Sequence, residues 1–73
     1  MGKLRTLSGR DVCKILEKYG FQEVRRRGSH IVMQRRNEAG TVTVPVPDHP
    51  ELAIGTLLSI IRQSGVARTE FES

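Results

Sequence analysis

The stretch Arg25-Arg26-Arg27-Gly28-Ser29-His30-Ile31-Val32-Met33 constrains the fold more than any other part of the chain. A Gly-Ser pair between a charged run and an apolar run reads as a tight connection between two strands. The turn leaves His30 at the start of the second strand, close to three arginines. A group that can carry a proton, set beside fixed positive charge, is what phosphodiester chemistry needs.

The chain on either side supplies the rest of an α+β pattern. Leu7-Ser8-Gly9-Arg10-Asp11-Val12 reads as a helix start. Ser8 can cap the first turn, Asp11 can return a bond three residues on, and Leu7 and Val12 can close over the cap as a hydrophobic staple. Val12, Ile15, Leu16 and Tyr19 then form one apolar stripe. Cys13 lies beside it as a small boundary residue. Gly20 can take the left-handed conformation that ends the helix. Residues 1–7 read as a loose lead.

Three strands follow, over 21–27, 30–36 and 41–45. In the first, Phe21 and Val24 differ in parity, so either Phe21 precedes the strand or a bulge intervenes. In the second, Ile31 and Met33 share one face while His30, Val32 and Gln34 share the other. Asn37-Glu38-Ala39-Gly40 is a turn. Val42 and Val44 join Ile31 and Met33 under the helices, which leaves His30 on the open face with Thr41 or Thr43 across from it. Three prolines make residues 45–50 an extended loop. A second helix is expected to start near Gly55-Thr56 with Thr56 near the cap, to bury Leu57, Leu58, Ile60 and Ile61, and to stop at Gly65. Phe71 anchors a short final turn. The expected whole is one domain over residues 1–73. It is a two-layer sandwich in the order helix, three-stranded antiparallel sheet, helix, with the outer sheet face open.

Composition narrows the function. Lys and Arg number 12 against 8 Asp and Glu, and residues 25–36 hold five arginines and no acid. Such a run attracts polyanions. With one Tyr, two Phe and no Trp, rows of aromatics stacking on bases are not available. The single cysteine excludes a disulfide framework and a thiolate metal cluster, and fits a reducing cytosol. Apolar runs are a few residues long, too short for a membrane span. Two histidines without a cysteine pair are a weak metal set, so none is assigned.

An ordered set of markers resembles the HicA toxin family of bacterial mRNA interferases. They are Gly20-Phe21, Arg25 with Gly28-Ser29-His30, Val44-Pro45, Pro47-Asp48-His49, Gly55-Thr56-Leu57 and Ile60-Ile61-Arg62-Gln63-Ser64-Gly65. The resemblance covers nearly the whole chain. It implies a fold like that of double-stranded-RNA-binding domains, and a cytoplasmic endoribonuclease that needs no metal or other cofactor. It also implies a HicB-like antitoxin as protein partner. The family's catalytic histidine, in its Gly-x-His motif, falls on His30. Two features depart from the pattern: the position of His49 relative to Gly55-Thr56-Leu57, and Ala67 where a Ser or Thr cap is usual.

The residues themselves suit this chemistry. Cleavage by the 2′-hydroxyl needs a group to take its proton and cations to steady the phosphorane. Histidine titrates near neutral pH, and arginine grips phosphate oxygens with two donors. His30 is therefore the candidate catalytic residue. Arg25, Arg26, Arg27, Gly28 and Ser29 are the candidate RNA-binding set, with Gly28 letting backbone and ligand approach closely. The rival reading is a non-catalytic module that binds double-stranded RNA by shape and phosphate contacts.

Overall fold

The computed structural model describes residues 2–73. Its elements run α1 (Gly9–Glu17), β1 (Gln22–Arg27), β2 (His30–Asn37), β3 (Gly40–Pro47), α2 (Ile54–Ser64) and a 3-10 turn (Arg68–Phe71). The strands form one antiparallel sheet in the order β1-β2-β3. Both helices cover the same sheet face. Val12 and Leu16 of α1, Leu57 and Ile60 of α2, and Ile31, Met33, Val44 and Val46 of the sheet share one core with Phe21 and Phe71. No helix among the described residues is long and apolar enough to cross a membrane.

The start of α1 follows its sequence signals. The Ser8 side chain accepts from the Asp11 N–H, and the Asp11 carboxylate accepts from the Ser8 N–H, each at 3.0 Å. Both donors would otherwise be orphans, and a cap of this kind contributes about 1 kcal/mol. Leu7 and Val12 are both buried, as a staple requires. The helix closes earlier than the apolar stripe suggests. It ends at Glu17, and Tyr19 lies in the turn beyond it, 39% exposed. Gly20, with φ +92°, then redirects the chain into Phe21.

Both resolutions of the β1 parity conflict occur together. Phe21 lies before the strand, and the register with β2 slips between Glu23 and Arg25, which isolates Val24. In the β1-β2 turn Gly28 has φ +58°, while Ser29 keeps a negative φ. That is the signature of a type II′ hairpin, whose first central position suits glycine.

The third strand is longer than its prolines suggest. It continues through Pro45 and Pro47, which pair with Val32 and His30. The two-residue turn at 38–39 makes Asn37 and Gly40 a hydrogen-bonded pair. Alternation along the ladder then puts Pro45 and Pro47 at positions whose N–H would point away from β2. On an edge strand those positions lose no bond, so proline is tolerated. The ladder even gains a further bond, from the Asp48 N–H to the Ser29 carbonyl at 2.7 Å.

Three other expectations are corrected. Helix α2 starts at Ile54 with Ala53 at the cap position and no side-chain cap, so Thr56 is inside the first turn. Leu57 and Ile60 are buried and Ile61 is partly so, but Leu58 is exposed, because the core touches only one side of the helix. The lead is not loose. Residue 1 lies outside the described residues, but the Arg5 N–H donates to Phe71, Lys3 accepts from Ser73, and the Leu7 carbonyl accepts from Leu52. Gly65, with φ +74°, ends α2 as expected.

Gly9 fits where the first turn of α1 meets the end of β3. Its N–H donates to the His49 carbonyl, and a methyl group there would overlap the Pro47 carbonyl. At Gly55 a methyl group would meet nothing within 4 Å. Gly9→Ala is therefore expected to destabilise the fold by about 1–3 kcal/mol. Gly55→Ala is expected to stabilise it by about 0.5–1 kcal/mol. Urea midpoints of the two variants should move in opposite directions, and a common direction would refute the close α1–β3 contact.

Candidate nucleic-acid interface

The open face of the sheet is set by the parity of β2. His30, Val32, Gln34 and Arg36 point away from the helices, while Ile31 and Met33 enter the core. Cross-strand pairing brings Arg27 and Pro47 to either side of His30, and Arg25 and Pro45 to either side of Val32. The II′ turn holds Arg27 and His30 as a directly opposed pair, with Cα atoms about 5.5 Å apart in such geometry.

These residues surround a concavity of about 610 Å³, lined by Arg25, Arg27, Gly28 and His30 with Val32, Thr43 and Pro45. His30, Arg25 and Arg27 are all exposed, so charge and imidazole are presented to solvent. Nothing lies within 4 Å of where a Gly28 side chain would begin, so a ligand can approach the turn backbone.

The arginine run divides into separate roles. Arg25 and Arg27 line the concavity, and Arg36 lines a neighbouring hollow on the same face. Arg26 has the opposite parity. Its guanidinium donates to Asp48 at 3.0 Å, and Arg10 donates to the same carboxylate oxygen at 3.2 Å. Arg35 is a structural cation. It sits 4.7 Å from the centre of the Phe21 ring and donates to the carbonyls of Tyr19 and Ser64. It thereby joins the turn after α1 to the last carbonyls of α2, where a helix dipole favours positive charge. Of the candidate RNA-binding set, Arg25, Arg27 and Gly28 lie together with His30. Arg26 is turned toward Asp48, and the Ser29 carbonyl is used by the Asp48 N–H.

Two site features are not readable from the sequence, and one expectation is corrected. Asp48 ties the hairpin to the segment after β3 through its N–H and its carboxylate. Its place in Pro47-Asp48-His49 does not identify a partner 22 residues away. Pro45, by sequence the last residue of the third strand and the first of the proline loop, forms a wall of the concavity. Thr41 and Thr43 do not face His30. Register puts them opposite Arg36 and Gln34, although Thr43 still lines the concavity. His49 lies beyond β3, where its carbonyl accepts from Gly9. Burial pushes the Cys13 thiol up to about 11, which keeps it protonated and matches a packing role.

A family model for the HicA toxin of bacterial toxin-antitoxin systems matches residues 9–66. A search of curated proteins gives no match. The matched span runs from the first residue of α1 past the end of α2, so it contains the whole sheet and its open face.

Two outcomes are expected from the charge assignments. The Arg26 hydrogen bond, with the Arg10 charge behind it, holds the Asp48 carboxyl below its ordinary value of 3.8. A depressed folded value means that the stabilisation is present above the unfolded value and is lost as pH falls through the folded one. Asp48→Asn should melt below wild type at neutral pH, with the gap closing as the carboxylate range is passed. Arg35→Met should cost about 1–3 kcal/mol of stability through its lost carbonyl and ring contacts, seen as a lower denaturant midpoint. An unchanged midpoint would remove its structural role.

Proposed function

The chain belongs to the HicA toxin family, and from that premise we propose that it is an endoribonuclease that cuts mRNA with His30. The toxin role brings with it a toxin–antitoxin partner, which we take to be a HicB-like antitoxin. The observation that carries the reading is the grouping of His30 with Arg25, Arg27 and Gly28 around one open concavity.

The chemistry assigned to each group follows from its type and place. A phosphate in the concavity would meet the guanidinium groups of Arg27, paired directly with His30, and of Arg25, one row further along the same strand. Charge-assisted bonds from those groups favour the dianionic phosphorane over the ground-state monoanion, so they lower the barrier as well as bind. His30 takes the proton of the attacking 2′-hydroxyl as that oxygen bonds to phosphorus; the P–O bond to the next nucleotide breaks, leaving a 2′,3′-cyclic phosphate and a 5′-oxygen that takes its proton from solvent. The cation at the phosphate in this reading is guanidinium, and no metal or other cofactor is called on. Arg26, through Asp48, steadies the hairpin that presents these groups.

The rival, a module that binds double-stranded RNA without cutting it, makes a different forecast for one substitution. His30→Ala should lower cleavage by about a hundredfold or more, the scale of a lost proton-transfer group. It should leave RNA affinity nearly unchanged. Induced expression of wild type, but not of the variant, should arrest growth and fragment RNA. Full cutting by a folded His30→Ala protein would overturn the assignment of His30. RNA binding without cutting by wild type would favour the rival.

A further inference from the structure

Three rows of side chains cross the open face from β1 to β3. The first is Arg27, His30 and Pro47, the second Arg25, Val32 and Pro45, and the third Gln22, Gln34 and Thr43. Rows two residues apart on a strand are about 7 Å apart. The first row carries cation and imidazole. The third carries only amides and a hydroxyl.

The middle row is the anomaly. Both helices pack on the other side of the sheet, so Val32 has no helix above it and stands outside the main core. It is nevertheless only 4% exposed, because neighbouring side chains already cover most of it at the bottom of the concavity, and the exposed Pro45 beside it offers the apolar surface. A solvated sheet face ordinarily presents polar residues at such positions. An apolar floor between a cationic row and an amide row matches the layout of one nucleotide, from phosphate through the base to its polar edge.

The geometry points to a nucleobase subsite. Pro45, backed by the nearly buried Val32, receives the flat face of one unpaired RNA base next to the phosphate at His30, and Gln34 with Thr43 reads that base's edge. This rests on the ribonuclease reading above. The Gln34 amide nitrogen donates to the Thr43 hydroxyl at 3.2 Å, which fixes the orientation of both groups. The Gln34 carbonyl, its second amide hydrogen and the Thr43 hydroxyl hydrogen then remain for a base. Beyond the amide row the face continues into a hollow of about 430 Å³ ending at Arg36, which gives a neighbouring nucleotide a place and a cation.

The occupant must be unpaired. A base inside a duplex already has both faces covered by its neighbours, and an RNA duplex offers shape and backbone instead. The subsite therefore selects single strands or splayed ends, a preference that charge alone cannot produce.

The test uses wild-type protein and short 2′-O-methyl RNA strands, which lack the attacking hydroxyl and cannot be cut by this route. Fluorescence anisotropy should show single strands bound about tenfold tighter than the duplex of the same sequence, the scale of one base stacked on a protein surface. Affinities among the four homopolymers should differ. Gln34→Leu with Thr43→Val should flatten that ranking without changing the melting temperature. Pro45→Ala should weaken single-strand binding several-fold and leave duplex binding alone. Equal affinity for strand and duplex, or variants that weaken both equally, would overturn the subsite. Cutting is measured separately on unmodified strands. Cutting with a flat binding ranking leaves the nuclease and removes the subsite; ranked binding without cutting does the reverse.

Discussion

The structure depends on the two-sidedness of β2. As the middle strand it pairs on both edges, so its only freedom is which residues face which layer. Ile31 and Met33 close the core, while His30, Val32 and Gln34 face outward. A slip of one residue would exchange the sets, burying an imidazole and exposing a methionine. Register is therefore protected at both ends. The II′ turn at Gly28-Ser29 sets one hairpin. At the other end, the Asn37 side chain accepts from the Ala39 N–H at 2.9 Å and shapes the second turn. The bulge at Val24 absorbs the remaining mismatch without disturbing the pair next to His30. The core and the candidate site thus follow from a single constraint.

The same parity rule gives identical side chains different work. Arg25 and Arg27 share a face because they are two residues apart, and Arg26 between them cannot join it. Arg26 meets Asp48 instead, so the hairpin is braced from the face opposite the concavity. Arg35 and Arg36 divide in the same way, one over Phe21 and the other at the open face. A linear count of positive charge overstates what a phosphate would meet. At the concavity itself Arg27 is paired with His30 and Arg25 lies one row along the same strand, which suits a local grip on one phosphate more than a broad electrostatic surface.

Much of this was legible in the sequence because it is local. The capping box at Ser8, the glycines at 28 and 65, and the alternation in β2 each act within a few residues. What escaped depends on neighbours far along the chain. Tyr19 continues the apolar spacing of α1, but the helix stops before it. Leu58 looks like a core residue by spacing and is exposed because β3 meets another side of α2. The lead looked loose because its partners, Phe71 and Ser73, lie at the other end of the chain. For the candidate site, the nearness of His30 to Arg25 and Arg27 is readable from the hairpin, while Arg26, counted with them in the sequence, turns to Asp48. Asp48 and the Pro45 wall were hidden by the assumption that proline ends a strand.

That assumption fails for a reason that bears on recognition. Unpaired sheet edges invite further strands, and proteins blunt them with proline, charge or bulges. Here β3 carries proline at two successive outward N–H positions, and β1 carries three arginines and a bulge. Both edges are poor templates for added strands. The same Pro45 and Pro47 turn their rings toward the open face, opposite Val32 and His30, because Val44 and Val46 between and before them occupy the core. One alternating Val-Pro segment therefore fills the core, closes an edge and lines the concavity. With the inner face covered by helices and both edges blunted, the outer face is the part of the sheet left for recognition. It is also where the histidine, the cations and the apolar floor are gathered.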